Sequence, residues 1–180
     1  MRTCRAAAAG KLTMMLVTLT LLAACGASGP SPRAWAASVC SALTPWRAEI
    51  SKLTSSTNEQ MTAQTTPAQA KENLVRLFGG AEQASEDARR KVEQAGVPKV
   101  EQGKEISAGF RASLASMRDA YGRAGTTIDA LSTGEASAFY DGVRAAVDVL
   151  QQEYDASALD TSRLNSEELK RAFDEVPECR

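Results

Sequence analysis

The side chains that could carry out chemistry in this 180-residue chain include four cysteines, Cys4, Cys25, Cys40 and Cys179, but no histidine. Without an imidazole, the chain cannot form Ser-His-Asp or Cys-His nucleophile systems, most zinc sites, or the Glu-x-x-His sites of di-iron bundles. Pairs of aspartates and glutamates remain as candidates for acid–base catalysis, although their sequence contexts are typical of solvated helix surfaces and linkers. We therefore predict a non-enzymatic protein with no catalytic residue, metal ligand or cofactor.

Two stretches have a partial likeness to ligand-binding loops. In GVPKVEQGKE, residues 96–105, six residues separate the glycines where a phosphate-binding loop has four, and Glu105 follows Lys104 where Ser or Thr is required. In DASALDTSRLNSEE, residues 155–168, Leu159 occupies a ligand position of an EF-hand loop and Asp160 replaces its glycine. Neither stretch predicts a phosphate or calcium site.

The N-terminal segment has the pattern of a secretory signal. Arg2, Arg5 and Lys11 precede residues 12–24, which are apolar apart from three threonines. As a helix, this apolar run would span roughly 20 Å, which is short of the ~30 Å hydrocarbon core of a membrane. Residues 1–24 are therefore predicted to be a cleaved leader rather than a permanent membrane helix.

The end of this segment, Leu22-Ala23-Ala24-Cys25, resembles the lipobox of bacterial lipoproteins. The resemblance implies a diacylglyceryl group on the Cys25 sulfur and cleavage before that residue. Two acyl chains give stable anchoring, whereas one gives marginal binding. The alternative is an ordinary secretory cut at residues 34–36, but that site lies far beyond the apolar run and follows two prolines.

The charge balance argues against binding to nucleic acid. The leader contains three of the 21 cations and none of the 22 acids, so its removal leaves a net charge of −4 with no basic stripe. The longest cationic run, residues 89–91, lies among acids. The four-residue spacing predicts helix-surface pairs between Glu86 and Arg90 and between Asp87 and Lys91.

The remaining two cysteines are expected to pair. With Cys4 lost in the leader and Cys25 acylated, Cys40 and Cys179 are left, and an extracytoplasmic compartment permits disulfides. A bridge between the two ends of the domain would contribute about 5 kcal/mol in the chain-entropy model. The alternative is a pair of buried free thiols.

After a Gly-, Ser- and Pro-rich tether within residues 25–33, residues 34–180 are predicted to form one helical domain. Apolar residues at helical spacing mark four long segments and a short terminal one. The stripes are Trp35, Val39, Leu43, Trp46, Ile50 and Leu53; Leu74, Phe78, Ala81, Ser85, Ala88, Val92 and Ala95; Ile106, Phe110, Leu114, Met117, Tyr121, Ala124, Ile128 and Leu131; Phe139, Val143, Ala146, Val147, Leu150 and Tyr154; and Leu169 with Phe173.

Local signals predict where these helices begin and end. Pro45 predicts a kink or a fresh start capped by Thr44, and the polar residues 55–66 predict a loop. Thr66 before Pro67 predicts the second start, and Gly96 with Pro98 its end. The third helix is expected to end near Gly134. For the last helix, Asn165 is the expected N-cap and Glu168 completes a capping box, with Leu164 against Leu169.

Together these elements predict an all-α fold, an antiparallel four-helix bundle with a short C-terminal helix that is closed by the disulfide. The aromatic side chains on the stripes are expected in the core rather than in a ligand cage. Small residues around Gly79–Ala88 indicate close helix approach, a bend, or a shallow pocket.

The stretches AWAASVCSALTPW and LNSEELKRAFDEVPECR are similar to the ends of small lipoproteins of high-GC Gram-positive bacteria. The resemblance implies an envelope location, a helical domain and the Cys40–Cys179 pairing, but no activity. We predict a lipid-anchored module on the extracytoplasmic face of the cell membrane, held there by membrane lipid through acylated Cys25 and binding an envelope protein partner. The alternatives are a small-molecule or lipid carrier with an apolar pocket and, more weakly, a carboxylate-dependent enzyme.

Overall fold

The computed structural model describes residues 29–157 and 164–180, and every regular element in these ranges is helical. The predicted all-α fold, an antiparallel bundle of four helices with a short terminal helix, is confirmed. The helices are α1 Pro32–Gln60, α2 Pro67–Gln94, α3 Gly103–Asp129, α4 Ala136–Ala156 and α5 Glu167–Glu175, followed by a 3-10 turn at Pro177–Cys179.

The first two helices begin at prolines that follow a capping hydroxyl. The Ser31 side chain accepts a hydrogen bond from the Ala34 N–H, so α1 starts at Pro32, inside the segment predicted as a tether. Helix α2 starts at Pro67 with Thr66 as its N-cap, as predicted, and Thr66 and Gln69 also form a reciprocal capping box there. Proline suits the first helical position because its missing N–H has no intrahelical acceptor there.

Helix α1 is longer and less interrupted than its sequence predicted. It continues through Pro45, so a fresh start capped by Thr44 is wrong; the Thr44 hydroxyl instead donates to the Glu178 carbonyl. Pro45 itself is exposed, while Leu43 and Trp46 on either side are buried. Burial of these flanking side chains maintains the helix despite the backbone hydrogen bond that proline removes.

Two further boundaries differ from the prediction. Residues 55–60 are helical rather than part of a loop, because Thr57 lies four residues after Leu53 and is buried on the same face. Helix α3 ends at Asp129, before Gly134, and the Glu135 carboxylate then caps α4 by accepting from the Ser137 and Ala138 N–H groups.

The start of α5 differs from its prediction by one residue. Ser166, not Asn165, is the N-cap, and its side chain accepts from the Leu169 N–H. Glu168 therefore does not occupy the N3 position, and the predicted capping box is wrong. Serine and asparagine have similar capping strength, so burial of Leu169 and Phe173 selects the register.

Successive long helices run antiparallel and pack side by side. Ion pairs show the direction: Arg111 near the start of α3 meets Glu93 near the end of α2, and Asp129 at the end of α3 meets Lys71 near the start of α2. Helix α5 packs against α1. Helix α4 packs on α3, touches α2 slightly and, within the described residues, makes no contact with α1.

Three aromatic rings fill the core where α1, α3 and α5 meet. Trp35 is fully buried and lies edge-on to Phe110 and Phe173, with ring centroids 5.3 and 6.0 Å away. Its indole N–H donates to the Gly96 carbonyl at 3.0 Å, so this buried polar atom is satisfied. The indole of Trp46 likewise donates to the buried Ser85 hydroxyl at 3.0 Å.

The predicted disulfide joins Cys40 in α1 to Cys179 in the C-terminal turn. The S–S distance is 2.02 Å, the Cα atoms are 5.0 Å apart, and 139 residues separate the two cysteines in sequence. The Arg33–Glu175 ion pair at 3.7 Å lies in the same contact between α1 and the C-terminal segment. The bridge therefore closes nearly the whole domain into one covalent loop.

The bridge should contribute strongly to stability. We expect the double variant Cys40→Ala, Cys179→Ala to lose roughly 2–5 kcal/mol of unfolding free energy, because the unfolded chain gains conformational freedom. Urea denaturation followed by circular dichroism measures the loss. Dithiothreitol should lower the midpoint of the wild-type protein and leave that of the variant unchanged. Equal midpoints for the wild-type protein and the double variant in the absence of dithiothreitol would contradict the expectation.

Two glycines in α3 should respond in opposite ways to alanine. A Cβ at Gly103 would overlap the Pro98 carbonyl oxygen, whereas a Cβ at Gly109 would have no neighbour within 4 Å. We expect Gly103→Ala to destabilise by roughly 1–3 kcal/mol through this overlap, and Gly109→Ala to stabilise by about 0.5–1 kcal/mol through its helix propensity. Thermal unfolding of the matched pair tests both signs. A stabilised Gly103→Ala protein would show that the loop yields to the added methyl group.

Candidate functional site

Helix α4 contains the largest deviation from the predicted core. Phe139 and Ala146 are buried, as expected, but Val147 and Tyr154 are 41% and 45% exposed. The prediction that these two side chains are core residues is therefore wrong. The apolar face of α4 is wider than the strip that α3 covers, and α1 does not pack on the remainder within the described residues.

The exposed part of this face forms a regular row along the helix, which we call the α4 row. Its members lie at alternating steps of four and three residues, the spacing of a coiled-coil seam. They are Ala136, Tyr140, Val143, Val147, Leu150 and Tyr154. Tyr140 is 38% exposed, while Val143 and Leu150 are half-buried. The sequence placed Val143, Val147, Leu150 and Tyr154 on one stripe but assigned that stripe to the core, and the prediction missed Tyr140, which the heptad spacing could have found.

A second row, of aspartates, accompanies the α4 row. Asp141, Asp148 and Asp155 are exposed and recur every seven residues, so they lie along one side of the helix. The Arg144 guanidinium donates to Asp141 at 2.9 Å, and the Gln151 amide donates to Asp155 at 3.0 Å. Arg144 and Gln151 therefore lie between the α4 row and the aspartates, and the other edge of the row is packed on α3.

A groove of about 320 Å³ lies between α3 and α4. Small apolar side chains dominate its lining, including Ala120, Ala124 and Ala145, with Leu150. An ion pair between Arg123 and Glu153 at 3.0 Å stands at its edge and raises the pKa of the arginine. This is the most apolar concave surface in the described part of the molecule.

The small-residue face predicted around Gly79–Ala88 differs from the α3–α4 groove, because it combines a close helix contact with a partly charged groove. A Cβ at Gly80 would meet the Leu53 methyl groups at 2.9 Å, so close approach of α1 explains this glycine. A groove of about 430 Å³ opens beside it to solvent, and Glu49, Asp87 and Lys91 contribute to its lining. Its charged lining suits an apolar ligand less well than the α3–α4 groove.

The carboxylates that could act in catalysis are distributed over the surface. Among the described residues, no aspartate or glutamate is buried. Glu86 is the most strongly held: Arg89 donates to both of its carboxylate oxygens at 2.8 Å, and Arg118 from α3 donates to one of them at 2.8 Å. Hydrogen bonds from Arg89 first, and from Arg118 second, lower the pKa of Glu86 to about 2.

These contacts correct the predicted pairing of the charged run. Glu86 pairs with Arg89 rather than Arg90, and Asp87 pairs with Arg90 rather than Lys91, because the three-residue spacing brings these side chains together. Glu86 also bridges α2 to α3 through Arg118. A carboxyl with so low a pKa stays ionised at neutral pH, which suits a structural ion pair and not a general acid.

The predicted site residues fall into two groups. Cys40 and Cys179 are brought together as a disulfide, and they fasten the fold. The predicted lipidation site, Cys25, lies outside the described residues, as does the predicted leader. Within the described residues there is no cluster of three or more His, Cys, Asp or Glu side chains placed to hold a metal ion. No helix in that part of the chain is long and apolar enough to span a membrane.

No protein-family model matches this chain, and comparison with curated proteins and with solved structures finds no match.

The cluster of Glu86, Arg89 and Arg118, which we call the Glu86 cluster, gives a pH-dependent contribution to stability. Because the pKa of Glu86 is lower in the folded state than its ordinary 4.5, the stabilisation is complete above about pH 4.5 and is lost as the pH falls towards 2. We expect Glu86→Gln to cost about 1 kcal/mol at neutral pH, and the difference from wild type to shrink steadily as the pH falls from 4.5 through 2. Urea unfolding over this pH range measures it.

Glu72→Gln, at an exposed glutamate on the same helix, serves as the matched control and should change stability by less than about 0.5 kcal/mol at any pH. A pH-independent difference between wild type and Glu86→Gln would contradict the proposed linkage.

Proposed function

We propose that this protein is a membrane-anchored lipoprotein whose helical domain acts as a non-enzymatic interaction module at the extracytoplasmic face of the cell membrane. The anchor is supported by the cationic start, the short apolar run and the Leu22–Cys25 motif. The observation that carries the interaction role is the α4 row, an apolar helix face that the described residues leave partly uncovered.

The Cys40–Cys179 bridge supports the proposed extracytoplasmic location. Disulfides persist in extracellular and periplasmic spaces and are rare where glutathione or thioredoxin keeps thiols reduced. A structural bridge that joins both ends of the domain fits a chain exported before it folds.

The proposed anchor would also orient the domain. The Pro30 carbonyl accepts from the Lys99 N–H at 3.0 Å, so the chain is attached to the domain from this residue onward. Only five residues connect Cys25 to Pro30, and an extended chain of that length reaches no more than about 18 Å. The loop between α2 and α3 would therefore face the membrane.

In this orientation the α4 row would lie far from the membrane-facing loop. Ser157, at the C-terminal end of α4, contacts Met117 of α3 at 3.1 Å, and Met117 lies about 21 Å along the helix from Gly103. The rest of α4 extends farther from the membrane-facing loop. An apolar face held at such a distance would be accessible to a protein partner.

A second candidate function is carriage of a small apolar molecule or lipid. The α3–α4 groove favours it, because its lining is small and apolar and its volume suits a ligand of modest size. Retention of a lipid or metabolite during native mass spectrometry of the purified protein, and its loss when Ala145→Leu fills the groove, would favour the carrier over the interaction module.

The anchor is tested by two matched cysteine variants of the full chain, expressed in a bacterium that processes lipoproteins. Cys25→Ser should abolish palmitate labelling and leave the chain unprocessed or released, because no thiol remains for the acyl group. Cys4→Ser should behave as wild type, since this cysteine precedes the cleavage site. Intact mass spectrometry of the wild-type protein should give an acylated N-terminal Cys25.

Labelling of the Cys25→Ser protein at the wild-type level, or a mature chain that begins at another residue, would refute the anchor. Recovery of wild-type protein in the cytosol would refute the location as well.

A further inference from the structure

Two residues that precede α1, Gly29 and Pro30, lie on the loop between α2 and α3, and we call them the strap. The Pro30 carbonyl accepts a hydrogen bond from the Lys99 N–H at 3.0 Å. A Cβ at Gly29 would lie 2.4 Å from the Val97 carbonyl oxygen and 3.7 Å from the Lys99 Cγ. Strap and loop therefore meet backbone to backbone, and only glycine fits at position 29 without a shift.

The loop that receives the strap is fixed to the core. Near its start, Gly96 has a left-handed backbone with φ +75°. The Gly96 carbonyl accepts from the buried Trp35 indole N–H at 3.0 Å and from the buried Ser107 hydroxyl at 2.9 Å. At the other end of the loop, a Cβ at Gly103 would overlap the Pro98 carbonyl oxygen. A strap bound to this loop is therefore bound to the rigid part of the domain.

The strap is held more weakly than the elements of the core. Gly29 and Pro30 are half-buried, and Lys99 is exposed, so water can satisfy the same backbone groups when the strap detaches. A backbone hydrogen bond of this kind contributes little net stability. Segments with few buried contacts open locally while the rest of a protein stays folded. The strap can therefore leave the loop without unfolding the disulfide-closed domain.

We propose that the strap has a closed and an open state, which set the reach and the orientation of the anchored domain. When the strap is closed, the free chain runs from Cys25 to Gly29 and extends no more than about 14 Å. When it is open, the free chain runs from Cys25 to Pro32, where α1 begins, and extends no more than about 25 Å. The closed state keeps the α2–α3 loop towards the membrane, and the open state lets the domain pivot.

The strap would thereby regulate the interaction module described above, and the inference rests on the proposed anchor at Cys25. In the closed state the α4 row is presented at one height and in one direction. In the open state the same row reaches partners over a wider range of positions. A single methyl group at position 29 is enough to shift the balance, because it would overlap a backbone oxygen rather than a movable side chain.

Hydrogen exchange at the Lys99 amide measures closure in the mature lipoprotein in phosphatidylcholine nanodiscs. Gly29→Ala should open the strap and make this amide exchange at least tenfold faster than in the wild type. Gly79→Ala in α2 is the matched control, because a Cβ there has no neighbour within 4 Å, and it should change the exchange less than twofold. Circular dichroism checks that both variants remain folded.

Labels at the two ends of α2 measure orientation. With the native cysteines acylated or bridged, a cysteine introduced by Glu101→Cys or Thr62→Cys is the one free thiol for a fluorophore. Both positions are exposed, the first in the α2–α3 loop and the second in the α1–α2 loop at the opposite end. A headgroup-linked quencher should quench the label at position 101 at least threefold more than the label at position 62. Adding Gly29→Ala should lower this ratio at least twofold, because the open domain pivots.

The outcomes separate the strap from the anchor. Intact mass spectrometry first reports the acyl group on Cys25, and its absence would overturn both the anchor and the strap. With Cys25 acylated, equal exchange at Lys99 in the wild type and Gly29→Ala, or equal quenching of the two labels in the wild type, would overturn the strap alone. Faster exchange in Gly29→Ala with an unchanged quenching ratio would overturn it too, since the strap would then not set the orientation.

Discussion

The burial of Trp35 between α1, α3 and α5 is the contact on which the arrangement of the whole domain depends. Its ring contacts Phe110 and Phe173, and its N–H is satisfied by the Gly96 carbonyl at the end of α2. Four helices are thereby held at one end of the bundle by a single side chain. Because α5 occupies the side of α1 near this cluster, the short helix is part of the core rather than an appendage.

The same arrangement explains the open face of α4. In a closed bundle of four equal helices, the fourth helix would pack on both the first and the third. Here α4 packs mainly on α3, and α1 is packed by α2 and α5 instead of α4. The apolar face of α4 is wider than one neighbour can cover, which leaves Tyr140, Val147 and Tyr154 partly in solvent. The partly exposed α4 row, on which the proposed interaction role rests, therefore follows from how the domain closes its core.

Periodicity was sufficient to predict the helices and most of the core, because burial of an apolar stripe determines which face points inward. It could not predict that burial beside Pro45 maintains α1, or that Ser166 caps α5, since both depend on distant contacts. Nor could it predict which part of the α4 stripe finds a neighbour. Of the site residues, the Cys40–Cys179 pairing was predicted from the compartment and the count of cysteines. The acylation of Cys25 remains a prediction from sequence.

The covalent loop closed by Cys40 and Cys179 bears on how the domain would respond to extracellular proteases. A cut in any connection between α1 and α5 divides the polypeptide, yet the bridge still joins the two fragments. Both would stay attached to the lipid at the proposed N-terminal anchor. Shedding of the domain would then require cleavage on the N-terminal side of Cys40, where the chain is helical from Pro32 onward, or reduction of the disulfide.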